Sequence, residues 1–481
     1  MRTYDNPVIG GFHPDPSVCR VGEDYYLACS SFEYFPGVPL FHSRDLVHWR
    51  QIGNALDRPG QLDLPADTPA SAGIYAPTLR HHDGRFHLIT TDVRGKGTFI
   101  VTADRPEGPW SDPVFVDVPG IDPDLAWDEE GNCWCAVAGV QVARIDPETG
   151  KVLEGPLPAW SGTGLQHPEA PHLYRIGDWW YLLLAEGGTA HGHSVSIARA
   201  RSPRGPWEPA PANPVLSHRS TDLPVQSTGH ADLVTAPDGT WWMVLLGTRP
   251  RGSFPGFHVL GRETFLTPVE WADGWPRVGP VRERHPAPAA WHPFELPPVR
   301  DDFDAQSLAF SWISPRSRPD DNWSLTERPG WLTLDARSGP VFLGRRQQHP
   351  DCRASTRIDP GSGRAGLSVR MDDAHHYDIE IAGGVAGVVA RIGTVRQRLA
   401  EHPVGPGPVT LTVDITATGA DTRGPDTLTF SVESPEGAVE LAELDGRYLS
   451  TQVAGGFTGR VIGMYAAEGG AAFDWFDYQP R

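Results

Sequence analysis

The strongest constraint on this chain is a short pattern that comes back five times: a turn signal followed by an aromatic-rich strand. It reads Gly22-Glu23-Asp24-Tyr25-Tyr26-Leu27, Asp83-Gly84-Arg85-Phe86-His87-Leu88, Glu130-Gly131-Asn132-Cys133-Trp134, Gly177-Asp178-Trp179-Trp180-Tyr181 and Asp238-Gly239-Thr240-Trp241-Trp242. Counted from Tyr25, Phe86, Cys133, Trp179 and Trp241, the spacings are 61, 47, 46 and 62 residues. Such periods suit the blades of a β-propeller, each a small antiparallel sheet that cannot bury both faces alone. A second motif, Ser43 to Trp49, Ala103 to Trp110 and Arg201 to Trp207, reads as the turn and outer strand that finish a blade. Five hairpins predict five blades. With 17 Trp, 53 Gly and 48 Pro and few helical periods, the chain is expected to be almost entirely β.

About ten residues upstream of each aromatic strand, the innermost strand of a blade should begin. There stand Asp15-Pro16, Ala76-Pro77, Asp122-Pro123, Glu169-Ala170-Pro171 and His230-Ala231-Asp232. Innermost strands surround a central channel, so these positions converge although they are far apart in sequence. Asp15 is held between two prolines, which restrict its backbone. Three carboxylates and a histidine at one mouth of a channel are costly unless the site uses them. Paired carboxyl groups across a pocket suit glycoside hydrolysis: one protonates the leaving oxygen while the other attacks or activates water. A third carboxylate raises the pKa of the acid. Phe32 and Tyr75 are candidates for flat apolar faces against sugar rings, and Arg262 for pairing with a carboxylate or a hydroxyl.

Other classes are excluded or disfavoured. A formal charge of -19 argues against nucleic acid or an anionic membrane as partner. No stretch is long and apolar enough to span a bilayer, and the first residues lack the apolar core of a signal peptide, so a cytoplasmic location is the expectation. Five cysteines follow no disulfide framework, and Cys133-Trp134-Cys135 is expected to be a buried strand and not a zinc site. There is no Gly-x-Ser-x-Gly elbow and no phosphate-cradling loop before a helix.

Taken in order, several stretches are similar to glycoside hydrolase family 43, in particular its two-domain β-xylosidases and α-L-arabinofuranosidases. They are Phe12-His13-Pro14-Asp15-Pro16-Ser17, Ser31 to Pro39, Gly73-Ile74-Tyr75-Ala76-Pro77, Ile121-Asp122-Pro123, Pro168-Glu169-Ala170-Pro171-His172, Ala185-Glu186-Gly187-Gly188-Thr189, Gly229-His230-Ala231-Asp232-Leu233 and Leu260 to Thr264. The resemblance implies a five-bladed propeller with an inverting mechanism: Asp15 as general base, Glu169 as general acid, and Asp122 tuning and orienting the acid. It implies a sugar subsite shaped by Phe32, Tyr75, His230 and Arg262, and a base-to-acid gap of roughly 6.5–9.5 Å to hold the attacking water. No cofactor is needed for that chemistry; a structural calcium ion near His230 is the one metal the resemblance brings in, although one histidine without clustered oxygen ligands supports it weakly. Position 75 is Tyr where many xylosidases of the family carry Trp, and Glu169-Ala170-Pro171 stands where Glu-Gly-Pro is commoner. The first difference leaves the choice between xylose and arabinose open.

From Val281 the blade repeat stops and prolines cluster, which reads as a stiff connector. Beyond Asp301, alternation in Tyr377 to Ile381, Leu411 to Ile415 and Leu428 to Val432 predicts an antiparallel sandwich, jelly-roll-like or concanavalin-like. The expected division is a catalytic propeller over residues 1–295 and a sandwich closing the active site over 300–481. Gly455-Gly456-Phe457-Thr458-Gly459 resembles the loop by which the family's sandwich reaches the propeller mouth, with Phe457 contacting substrate. The reading is an exo-acting glycosidase for xylo- or arabino-oligosaccharides, releasing β-D-xylose, with α-L-arabinofuranosidase activity as a companion or as the main activity. A homo-oligomer is left open. A non-catalytic sugar-binding propeller is the contrasting class, and the presence of all three carboxylates speaks against it.

Overall fold

The computed structural model describes residues 2–58, 60–295, 297–316, 322–405, 407–419, 423–435 and 437–481. It separates into two compact units: one holds Met1–Ile9, His13–Arg249 and Arg262–Phe294, the other Gly10–Phe12, Pro250–Gly261 and Glu295–Arg481.

The first unit is the five-bladed propeller. Its blades are antiparallel sheets of consecutive strands whose innermost members are Ser17–Val21, Thr78–His82, Asp124–Trp127, Glu169–Ile176 and Gln226–Thr235. The aromatic repeats form the second strands, Asp24–Ala28, Arg85–Asp92, Cys133–Val137, Trp179–Glu186 and Trp241–Thr248. Their spacing is explained by the cores, since each seam between neighbouring blades carries its own hydrophobic cluster. Leu40, Leu79 and Leu88 lie in the seam between blades 1 and 2, Trp134, Trp180 and Leu182 in that between blades 3 and 4, and Val18, Trp242 and Val244 in that between blades 5 and 1. A large aromatic in each second strand fills a seam and contributes about 1.5–3 kcal/mol of burial. Cys133 and Cys135 lie in such a buried strand, and all five cysteines are free thiols.

The ring is closed by the first residues of the chain. Asn6 donates its amide to the carbonyls of Leu266 (2.9 Å) and Arg282 (2.9 Å) and accepts from the Leu266 N–H (3.0 Å). Tyr4 donates its hydroxyl to the same Leu266 carbonyl. The proline-rich stretch is more than a connector, because Arg284–Pro286 pairs with Thr3–Asp5, and Ala287 and Trp291 pack on the core between blades 5 and 1.

Just inside the channel, polar side chains stitch one inner strand to the next. Ser17 accepts from the Leu79 N–H, Asp124 from the Leu173 N–H (2.7 Å) and Asp232 from the Val18 N–H (2.9 Å). At the centre, Arg80 lies 2.8 Å from both Asp124 and Asp232, while Tyr174 donates its hydroxyl to Asp232. Both carboxylates are fully buried, so Arg80 is their counter-ion and Asp232 is held well below the usual carboxylate range despite its burial.

The second unit is the sandwich. Among the described residues, one sheet has six strands in the order Val341–Arg346, Val461–Glu468, Arg364–Asp372, His375–Ala382, Val385–Ile392 and Val395–Pro403. The other is built around Gly470–Pro480, Cys352–Asp359, Val409–Ala417, Asp426–Ser434 and Gly437–Asp445. Leu367, Ile379, Val388, Leu411, Leu428, Phe430 and Phe473 form the shared core. Strict alternation holds over most of Asp426–Ser434 but fails in His375–Ala382, where Asp378 and Glu380 are buried too. Glu380 accepts hydrogen bonds from Arg398 (2.9 Å) and Tyr465 (2.8 Å), so the polar face of this strand is covered by partners, not by water.

Arg80→Met is expected to cost about 3–5 kcal/mol in chemical denaturation at pH 7, because it leaves two buried carboxylates without their cation. Asp232 has a depressed pKa, so the stability it contributes is present above the ordinary carboxylate range and lost as pH falls. The gap between variant and wild type should therefore narrow in acid.

Candidate active site

The sequence-predicted ring assembles in the first unit. Asp15, Asp122 and His230 each adopt positive φ (56°, 51° and 46°) two residues before an inner-strand position that faces the channel. Non-glycine residues enter this region at a cost, and such strain concentrates at functional sites. In blade 4 the residue in that conformation is Ala170 (φ 50°), and the ladder shifts register between Glu169 and His172. Aligned on the prolines, Ala170 is thus the true counterpart of Asp15 and Asp122, while Glu169 stands one residue earlier. The register shift breaks the two-residue alternation of side chains and places Glu169 beside Asp122 and Asp15 all the same.

Asp15 is buried among donors. Ser30 donates its hydroxyl to Oδ2 at 2.5 Å, and Arg262 donates to Oδ1 at 2.9 Å. His230 Nδ1 lies 3.3 Å from the same oxygen. Burial pushes the Asp15 pKa up, but Arg262 above all, then His230 and the Ser30 hydrogen bond, outweigh it and hold the carboxyl below its ordinary value. Burial in turn lowers the His230 pKa to about 3, with the Asp15 charge opposing.

Glu169 is the opposite case. Burial first and the Asp15 charge second raise it from 4.5 to about 7, with Arg262 opposing. Asp122 is also pushed up, by burial, by Glu169 and by Asp15, and it accepts the Ala170 N–H at 3.3 Å. One guanidinium serves three carboxyl groups, so the Asp122–Glu169 pair keeps a proton near neutrality while Asp15 stays ionised. A ring with one carboxylate held charged and another held protonated can remove a proton on one side and deliver one on the other.

Phe32 and Tyr75 meet edge to face with ring centroids 5.8 Å apart, and the Arg262 guanidinium lies 5.8 Å from the Phe32 ring. Phe32 is fully buried and Tyr75 half-buried. Burial, then Asp122, raises the Tyr75 hydroxyl pKa, so it remains a neutral donor. Arg262 is therefore a buried member of the ring and not a surface arginine. Phe457 belongs to the second unit, half-buried after two glycines in the left-handed region (φ 78° and 80°).

Three contributors were not singled out from the sequence, although Thr189 ends one of the stretches that carry the resemblance. Ser30 follows the second strand of blade 1 by two residues and reaches Asp15. Thr189 accepts from Arg262 at 3.0 Å, placed by the loop through Gly187 and Gly188, where a Cβ on residue 187 would strike the Gly192 carbonyl at 2.0 Å. His193 is wholly buried with Nε2 3.9 Å from Glu169 Oε1. None of the three stands at the start of an inner strand, where the repeat directed attention.

Calcium requires six to eight oxygen ligands. The ionisable neighbours of His230 are Asp15, already paired with Arg262, together with His172, His193 and Arg262 itself. Among the described residues no group of three His, Cys, Asp or Glu is arranged to hold a metal ion. These side chains do not fit an oxygen cage.

Because Glu169 binds its proton more tightly in the folded than in the unfolded chain, its contribution to stability is present below pH 4.5 and lost as pH rises towards 7. Glu169→Gln removes this titration. The variant is expected to melt a few degrees above wild type at pH 8, with a smaller difference at pH 5, as thermal unfolding at the two pH values would measure.

Residues 4–276 match the family model described as Glycosyl hydrolases family 43, and residues 300–479 match the Beta xylosidase C-terminal Concanavalin A-like domain. A non-reducing end alpha-L-arabinofuranosidase of Bacteroides ovatus is 43% identical, with 100% of this chain and 95% of the relative covered. A xylosidase/arabinosidase of Butyrivibrio fibrisolvens is 36% identical over 99% of this chain and 98% of its own. Among solved structures, the Bacteroides ovatus protein titled Xyloglucan PUL GH43B superposes with a TM-score of 0.93 at 42% identity over the whole of both chains. The xylan beta-1,4-xylosidase of Bacillus halodurans does so at 0.92 and 33% identity, covering 99% of this chain and 100% of its own. The propeller, the sandwich and these matches over the whole chain lead to one conclusion: this chain is a glycoside hydrolase and belongs to family 43.

Proposed function

We propose that the enzyme is an exo-acting, inverting pentosidase that removes β-D-xylose and α-L-arabinofuranose from the non-reducing ends of oligosaccharides. The observation that carries the reading is the split within one ring: Asp15 is held ionised by Arg262 and Ser30, while Glu169 is raised to about 7. Asp15 takes the proton of a water that attacks the anomeric carbon. Glu169 gives its proton to the departing glycosidic oxygen. Asp122 accepts the Ala170 N–H and so holds the backbone beside Glu169, and its own carboxyl is pushed up by burial and by Glu169. Phe32, Tyr75, His230 and Arg262 form the walls of a small subsite, which suits a terminal pentose.

A mainly arabinofuranoside-cleaving enzyme is the second reading, favoured by Tyr75 where many xylosidases carry Trp and by the name of the Bacteroides ovatus relative. Initial rates on p-nitrophenyl β-D-xylopyranoside and p-nitrophenyl α-L-arabinofuranoside, with proton NMR of the first-formed sugar, separate the two. First release of α-xylose from the β-linked substrate is expected; release of β-xylose first would refute inversion, and arabinofuranoside turnover alone would select the second reading.

Variants test the roles. Asp15→Ala is expected to abolish turnover of both substrates, since no group remains to activate water. Glu169→Ala should slow xylobiose by roughly 10²–10⁴-fold, the range of general acid catalysis, and the p-nitrophenyl glycoside far less, because a good leaving group needs little protonation. Equal losses on both would refute the acid assignment.

A further inference from the structure

His193 is a buried ionisable group next to the ring for which the chemistry above has no task. Its Nδ1 lies 3.0 Å from the Ser227 carbonyl oxygen. A carbonyl only accepts, so Nδ1 carries the hydrogen and donates it. In the neutral imidazole Nε2 is then a bare acceptor. That atom is buried, has no hydrogen-bond partner among the described residues, and stands 3.9 Å from Glu169 Oε1.

The surrounding backbone is shaped to the imidazole. A Cβ on residue 229 would lie 2.4 Å from Cε1 and from Nδ1 of His193. Gly229 is not in the left-handed region, so it is the ring of His193, and not a backbone demand, that excludes a larger residue here. The ring is thus held on one side by Ser227 and Gly229 and presents its lone pair to the acid on the other.

We propose that His193 is a positioning residue for Glu169: a buried Nε2 acceptor that favours the protonated carboxyl and fixes its orientation. The protonated carboxyl can satisfy Nε2 by donating its O–H, whereas an ionised Glu169 would face it lone pair to lone pair. The groups that face this pair are Asp15, which raises Glu169, Arg262, which lowers both Glu169 and His193, and Asp122 and His230 beside them. Burial lowers the His193 pKa to about 4, so the imidazole stays uncharged wherever Glu169 must hold its proton. The contact with Nε2 belongs to the free enzyme, where the gap is 3.9 Å; when substrate binds, the same O–H turns to the glycosidic oxygen, which takes the proton.

This inference rests on Glu169 being the acid, and the test separates the two. His193→Phe keeps a ring over Gly229 but removes the acceptor; His193→Gln returns an acceptor oxygen near the place of Nε2. For the Phe variant, the basic limb of kcat/KM against pH is expected to move down by about one unit, with xylobiose turnover at pH 7 falling about tenfold and the p-nitrophenyl glycoside little changed. The Gln variant should recover most of both effects. A folded Phe variant with an unmoved basic limb and an unchanged ratio between the two substrates would overturn the role of His193, while Glu169→Ala still discriminating between leaving groups would leave the acid assignment standing. Should the Phe variant not fold, ¹⁵N NMR of histidine-labelled wild type decides: an Nδ1–H tautomer is expected whose bare ring nitrogen shifts as pH passes about 7, a response absent in Glu169→Gln, and no such response overturns the proposal.

Discussion

The contact on which the propeller and its site both depend is the buried Arg80 guanidinium between Asp124 and Asp232. It draws together blades 2, 3 and 5, and the two carboxylates it neutralises also cap backbone N–H groups of blades 4 and 1. A channel lined by five strand starts would otherwise leave polar backbone groups facing inward with no partner, a cost of the order of 1–3 kcal/mol each. Breaking such a pair is far more damaging than its net worth suggests, because an uncompensated buried charge is left behind. Asp15 and Asp122, to which the proposed mechanism gives the proton chemistry, stand two positions before Ser17 and Asp124, the first residues of their inner strands, so the network that closes the channel also fixes where they point.

The site works through an imbalance that the fold maintains. Three carboxyl groups share one guanidinium, and the guanidinium is committed to Asp15. Hydrogen bonding and charge therefore stabilise one anion, whereas burial and repulsion penalise the others. Chemically similar groups acquire opposite proton states from position alone. The cost is local instability at neutral pH, borne by the seams, each of which buries its own apolar cluster.

The blade repeat was readable because it is a packing requirement: Phe86, Trp134, Trp180 and Trp242 recur where a seam must be filled, and turns of the Asp-Gly kind recur where a hairpin must reverse. The second domain was readable from alternation, since Leu428, Phe430 and Val432 share one face of a strand whose other face is polar. Alternation misled at Asp378 and Glu380, because a polar side chain reads the same whether water or an arginine covers it. The register of Glu169 was misread for a related reason. A spacing rule places residues along a strand, and a register shift moves a side chain without changing the spacing enough to notice.

By itself, then, the amino-acid sequence determined the all-β class, the five blades, the change to a second domain near residue 300, and the convergence of Asp15, Asp122, Glu169 and His230, because periodicity and turn chemistry are local properties that a linear string carries. Only the tertiary structure decided that Arg262 spends its charge on Asp15, that Ser30 and Thr189 complete the pair, that His193 offers Glu169 a lone pair, and which carboxyl keeps the proton. Those outcomes depend on burial and on distances between residues far apart in the chain, and a pKa is set by the summed field of such neighbours, which no stretch of sequence contains.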